Sequence, residues 1–359
     1  MNKVAIFMCS DLRNYGGGEK DIIRYSSQLK DKLEIHICTF MEGKHGRVST
    51  EFIEGALKGV KIHWYKGLKS RLLKDVFPFS RFNLSSYDKT YSACPGFILN
   101  SILLKKSKRT LLGIHVQSAL SDRPIENKAW KMFLFKFYRR LQVKCILKFD
   151  EIRVQNTDDL RRVRELGFKG RIWNIPPSMF DITPAPIVVD KFYVVWVNRI
   201  SPEKRPEELV KIAKMLPDIE FHAIGSGSLS YLFDSVANIK KVGFLSDEEL
   251  SDELKKASLY ISTSRGENFG MSAVEAQAYG VPTITYDVMG LRDYNPTVKT
   301  TAEMAMRIRE QYEKWIKSPA DYHQERLRIR ALTLQKFSDE VVIPQIRKML
   351  LGSQEESDS

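Results

Sequence analysis

One pattern constrains this chain more than any other: apolar, β-branched runs alternate with helical stretches, and the alternation starts twice. "KVAIFM", "LEIHICTF", "RTLLGIHV" and "DEIRVQN" fall in the first half, and "FYVVWVNR", "IEFHAIG", "LYISTS" and "VPTITYD" in the second. Strands alternating with helices form parallel sheets covered by helices on both faces, so the class is α/β. Each start has the same form, an apolar strand that enters a polar loop and then a helix: "KVAIFMCSDLRNYGGGEKDIIRYSSQL" and "FYVVWVNRISPEKRPEELVKIAKML".

Between the two starts lies "NIPPSMFDITPAPIVVDK", rich in proline and without helical periodicity, which reads as an interdomain linker. At 359 residues the chain exceeds what one hydrophobic core usually supports. Two doubly wound, Rossmann-like domains are therefore expected, over 1–180 and 190–335, with a polar, disordered tail over 352–359.

Composition excludes several classes. With 43% apolar and 28% charged residues the chain is an ordinary folded one. The opening apolar run is closed by Asp11, too soon for a signal peptide, and "CPGFILNSILL" is too short to span a bilayer. The four cysteines have neither CxxC nor Cys-His spacing, which leaves reduced thiols in a cytoplasmic protein and no metal site. Charge is divided unevenly: residues 1–180 hold 34 Lys and Arg against 17 Asp and Glu, the remainder 23 against 27. A basic first half is drawn to an anionic partner or surface, such as the inner face of a membrane, although a charge run is more often only a solvated face. Of two membrane candidates 66–82 is the better, while the amphipathic stretch 129–149 reads rather as a helix packed on the sheet with a basic outer face.

The chemistry concentrates in "RGENFGMSAVEAQAYGVP", a turn and a helix after the strand "LYISTS". Open α/β sheets bind ligands at this carboxyl edge, where a helix N-terminus attracts phosphate. Glu267 and Glu275 point from different heights, and carboxylates beside a phosphate site suit sugar hydroxyls. After "FYVVWVN" come Arg199 and Lys204, two cations at a strand end ahead of the helix start at Pro206, which form a diphosphate clamp.

Together "NRISPEK", "GFLSDEEL" and "ENFGMSAVEAQAYGVP" resemble the carboxyl-terminal domain of the family-4 retaining glycosyltransferases of the GT-B fold, with their E-x7-E motif. "GGGEK", "IHVQS" and "VQNTDDLRRVRELGFKGRIWNIPPS" extend the resemblance through the first half, weakest over 45–105. It implies two domains facing a central cleft, the second for donor and the first for acceptor, with a final helix over 336–351 crossing back to the first.

By the same resemblance, Arg199 and Lys204 hold the donor diphosphate and Glu275 the ribose. Glu267, with the backbone of Asn268, Phe269, Gly270 and Met271, holds the transferred sugar. Gly17 and Gly18 let the first loop approach the donor, His115 stands near the anomeric centre, and Gly225, Gly227 and the 242–245 stretch with Phe244 line the base pocket. The expected partners are a nucleotide-sugar co-substrate and a glycan or lipid-linked acceptor, with no cofactor and no metal; no Asp-x-Asp occurs. Asn198 departs from the pattern, standing where the family often has glycine, and "YDVMGLRDYNPTVKTT" lacks the usual Gly-Gly pair.

Three rivals stand beside this reading. A nicotinamide dehydrogenase needs GxGxxG directly after the first strand, which "SDLRNYGGGEK" does not supply. A nucleic-acid-binding protein would use the basic half but shows no known module, so no nucleic acid is expected. A pseudoenzyme that binds nucleotide sugar without transfer keeps the same residues.

Overall fold

The structure is a computed structural model that describes residues 1–8, 10–41, 47–66, 83–93, 107–113, 140, 143–178 and 190–352. Thirteen strands and nine helices are named here. The strands are β1 (Lys3–Phe7), β2 (Glu34–Met41), β3 (Lys61–Lys66), β4 (Lys89–Ser92), β5 (Arg109–Gly113), β6 (Glu151–Val154), β7 (Arg171–Asn174), β8 (Tyr193–Val197), β9 (Glu220–Ile224), β10 (Ile239–Gly243), β11 (Leu259–Ser262), β12 (Thr283–Tyr286) and β13 (Thr297–Val298). The helices are α1 (Gly17–Leu29), α2 (Thr50–Ala56), α3 (Thr157–Glu165), α4 (Pro206–Met215), α5 (Asp247–Lys256), α6 (Met271–Ala278), α7 (Thr301–Lys317), α8 (Pro319–Phe337) and α9 (Asp339–Leu351).

The chain divides into two compact units, Met1–Ser178 with Glu340–Ser359, and Met179–Asp339. In the first, seven parallel strands run in the order β3-β2-β1-β4-β5-β6-β7; in the second, six run β10-β9-β8-β11-β12-β13. Both are doubly wound sheets whose order reverses beside the first strand of each unit. The central strands are apolar on both faces because both faces are covered. Val4 and Ile6 of β1 enter one core while Ala5 and Phe7 enter the other. Val194 and Trp196 of β8 likewise face one core, Tyr193 and Val195 the opposite one.

The last helix, α9, packs Val342, Ile346 and Met349 into the first unit's core beside Val4 and Ile22. The helix expected over 336–351 begins at Asp339, because Ser338 is extended (ψ 159°) and residues 336 and 337 close α8. At the far end Lys89, buried in β4, donates 2.5 Å to the Met349 carbonyl and pairs with Glu151 at 2.8 Å. A cation at a helix carboxyl end meets both its free carbonyls and its dipole. Among the described residues no helix is long and apolar enough to cross a membrane. The candidate 66–82 and most of 129–149 lie outside the described residues.

Candidate functional site

Order reversal at β8 directs the chain after β8 and the chain after β11 to neighbouring positions on the carboxyl edge of the second sheet, the place where such sheets bind ligands. Both segments are built by local chemistry. After β8, a single turn of 3-10 helix, Pro202–Lys204, leads into Arg205, a non-glycine residue in the left-handed region at φ 52°. Strain of this kind persists only where the surroundings hold it. Arg205 is held by Glu208 at 3.2 Å and by the Tyr286 ring at 4.8 Å, and Pro206 then opens α4 with its fixed φ. Burial pulls the Glu208 carboxyl up, yet hydrogen bonds from Thr301, Lys211 and Tyr286 outweigh it and hold it at about 2.

The segment after β11 is stitched to that turn. Thr263 accepts from the Trp196 indole at 2.8 Å and donates to the Lys204 carbonyl at 2.7 Å, while Arg265 N–H donates to the Glu203 carbonyl at 2.9 Å. From this frame the Lys204 ammonium reaches the Glu267 carboxylate, with which it forms an ion pair. Ser264, fully buried, donates to the same Glu267 oxygen, Oε1, at 2.7 Å. The Glu267 backbone N–H donates 3.0 Å to the Met289 carbonyl, and Gly290 lies so close that a Cβ there would sit 2.0 Å from the Glu267 carbonyl oxygen.

Gly270, at φ 82°, turns the chain into α6, whose N-terminus no side chain caps. Phe269 beside it is buried against Tyr294 and Phe337, at centroid distances of 4.7 and 5.4 Å, so the turn carrying Asn268 and Met271 is anchored by an aromatic cluster. Glu275 stands on α6, half-buried. Burial pushes the Tyr260 phenol up, and the charges of Glu267 and Glu275 add to the rise. That hydroxyl is 2.9 Å from Ser272, at the start of α6.

The remaining expected residues fall in three places. Arg199 is on the same turn as Lys204, but its guanidinium is 63% exposed with Glu203 at 4.0 Å, so the expected cation pair is split: Lys204 faces a carboxylate, Arg199 faces solvent. Gly225 and Gly227 pack against the β8 turn, where a Cβ would meet the Asn198 and Ile200 carbonyl oxygens at 1.9 and 2.1 Å. Only glycine allows that approach. They line an open hollow with Ile200, Ser226, Ser230 and Val242. Phe244, 57% exposed, follows the lining residue Gly243 in sequence, and Tyr231, 61% exposed and passed over by sequence reasoning, follows the lining residue Ser230. The signal was an aromatic residue just after the loop "GSGSLS".

Gly17 and Gly18 open α1 in the first unit, and neither has a positive φ. A Cβ on Gly18 would meet nothing within 4 Å. The loop is closed by Glu19, which accepts from the Gly16 N–H at 3.1 Å and from Ser10 at 2.5 Å. His115 lies outside the described residues. Asn198 leaves its amide nitrogen buried with no hydrogen-bond partner among the described residues.

The sequence of the second unit matches a known family model. Residues 180–329 match the family model "Glycosyl transferases group 1". A D-inositol 3-phosphate glycosyltransferase of a Mycobacterium species (strain KMS) is 38% identical over 110 residues, 27% of this chain and 25% of that protein. This chain therefore aligns with about a quarter of that relative's length. Anabaena HepE in complex with UDP and glucose superposes with a TM-score of 0.73 at 16% identity, covering 98% of this chain and 100% of that one. Sucrose-phosphate synthase from Thermosynechococcus elongatus does so with a TM-score of 0.74 at 14% identity, covering 97% and 98%. The fold is GT-B.

Proposed function

We propose that this chain is a retaining glycosyltransferase that moves a sugar from a nucleotide-diphosphate donor, bound by the second unit, to an acceptor hydroxyl. The observation that carries the reading is the meeting of Lys204, Ser264 and Glu267 at the point where the second sheet reverses its order. An ammonium and a carboxylate brought together from two adjoining loops suit a ligand with phosphate at one end and alcohols at the other. The glycosyltransferase name of the mycobacterial relative and the UDP and glucose bound by HepE agree with it.

In this scheme Lys204 and Arg199 stabilise charge that develops on the departing diphosphate, a preorganised electrostatic effect that needs no metal. The acceptor hydroxyl attacks from the face the diphosphate leaves, and a diphosphate oxygen takes its proton, so configuration is retained. Glu267 orients the transferred sugar with the backbone of Asn268 to Met271, and Glu275 takes the ribose. His115 orients the reacting centre, Gly17 and Gly18 admit the donor, and Gly225, Gly227 and Phe244 border the base. A thermal-shift panel of UDP-glucose, UDP-GlcNAc, GDP-mannose and ADP-glucose tests the reading, since ligand at 100 times its Kd adds about 2.7 kcal/mol to the folded state. One nucleotide sugar is expected to raise the melting temperature of the wild type and to lose that effect in Arg199→Ala. A panel without any shift would remove the proposal.

The excess of 34 cations over 17 acids in residues 1–180 supports an anionic or membrane-borne acceptor, a lipid-linked glycan on the inner membrane face. The chain is then expected to float with vesicles containing anionic lipid at low salt and to detach at about 0.5 M salt, where screening length falls to a few ångström. Failure to float with anionic vesicles even at low salt would leave a soluble acceptor as the reading.

A further inference from the structure

Glu267 receives two hydrogen bonds on one oxygen: Lys204 and Ser264 both donate to Oε1. Among the described residues no donor reaches Oε2, and the Glu267 side chain is 19% exposed. The two donors differ in what a ligand does to them. Lys204 is a cation on a flexible stem, and a diphosphate carrying more negative charge than one carboxylate competes for it. Ser264 is fully buried at the end of β11, its N–H 3.4 Å from Ser262 Oγ, and its hydroxyl has no charge for a phosphate to attract.

We propose that Ser264 is the positioning residue of the donor site: it keeps Glu267 Oε1 fixed when Lys204 turns to the diphosphate, so that Oε2 stays aimed at the hydroxyls of the transferred sugar. The inference rests on the donor reading above and adds to it a residue that touches neither phosphate nor sugar. Without Ser264, Glu267 is tethered by Lys204 alone, and the carboxylate follows the ammonium or swings into solvent once the diphosphate arrives. The sugar then loses a charge-assisted hydrogen bond while the nucleotide keeps all its contacts. Serine to alanine removes one oxygen and adds nothing, so the fold tolerates the change.

The test measures affinity by titration calorimetry on the full chain, with UDP, UDP-glucose, UDP-GlcNAc, GDP and GDP-mannose. The variants are Ser264→Ala, Glu267→Gln and the double variant. In Ser264→Ala the nucleoside diphosphate should bind within about twofold of wild type, while the nucleotide sugar weakens about tenfold, the worth of one hydrogen bond to a charged group. In the Glu267→Gln background Ser264→Ala should change the sugar nucleotide's affinity by less than about twofold, because a residue that acts through another is silent once the other is altered. Equal losses for diphosphate and sugar nucleotide, or losses that simply add in the double variant, would overturn the positioning role. A sugar that contributes nothing to affinity in the wild type would overturn it too, while sparing the diphosphate site. Failure of every diphosphate to bind the wild type would instead strike the donor reading, and the inference would fall with it.

Discussion

Asp21→Ala is expected to cost the first unit about 3–5 kcal/mol, the loss typical of breaking a buried ion pair from one side. Asp21 and Arg153 are 3% and 2% exposed and meet at 2.8 Å. Burial pulls the Arg153 guanidinium down, and the Asp21 charge beside it more than restores it. Every arm of the pair is in use. Arg153 donates to the carbonyls of Ile175 at 3.2 Å and Pro176 at 2.7 Å, and Asp21 Oδ1 accepts from the Ser178 N–H at 2.8 Å and its hydroxyl at 3.2 Å. Removing the carboxylate strands a buried guanidinium and a buried N–H together. It also releases residues 175–178, the last of the first unit before the chain passes to the second.

Urea unfolding followed by hydrogen exchange separates the two units' transitions, and only the first should move. The double variant Asp21→Ala, Arg153→Met should recover only part of the loss: it removes the stranded charge but leaves the Ser178 N–H and the Ile175 and Pro176 carbonyls without those partners. A loss below about 1 kcal/mol in Asp21→Ala would mean that water reaches the pair.

The strands that sequence made plain are those buried by apolar side chains on both faces, such as β1 and β8. The strands it hid are polar for identifiable reasons. β4 reads "KTYS" and still lies between β1 and β5, because its lysine is neutralised by Glu151, far along the chain, and capped by the carbonyl of Met349. No periodicity announces a buried lysine whose partners come from two other elements. β3 and β10, "KIHWYK" and "IKKVG", are the outer strands of their sheets, and edge strands carry lysine where inner ones carry valine.

The same limit applies at the site. Spacing placed Glu267 on a turn and Glu275 on a helix, and both are there. Spacing also put Arg199 and Lys204 on one loop, but could not say which cation meets which anion. Lys204 and Glu267 are brought together by Thr263 and Arg265, whose hydrogen bonds tie the two loops side by side. Ser264 was silent for a related reason. A serine at a strand end is common, and only its hydroxyl's direction gives it meaning.

Because Lys204 and Glu267 form an ion pair, substitutions on either side of it are expected to act in opposite directions on nucleotide binding. On the proposed function, Lys204→Ala removes the cation that would meet the diphosphate and leaves Glu267 without its ion-pair partner beside it. Truncating one member of a hydrogen-bonded charge pair at an interface costs about 2–5 kcal/mol, so the affinity for UDP or GDP should fall on the order of a hundredfold or more. Turnover of the donor should fall by a further 10²–10³, roughly the worth of one preorganised group that stabilises a leaving charge. Glu267→Gln does the reverse for the nucleotide. The amide no longer competes for the ammonium, Lys204 is freed, and the bare diphosphate should bind as tightly as in wild type or more tightly, while the sugar loses its anchor. Calorimetry with UDP and UDP-glucose on both variants reads the signs directly. If both substitutions weakened the bare diphosphate equally, Lys204 and Glu267 would be acting as a structural brace of the turn, and the ammonium would have to be taken out of the donor site.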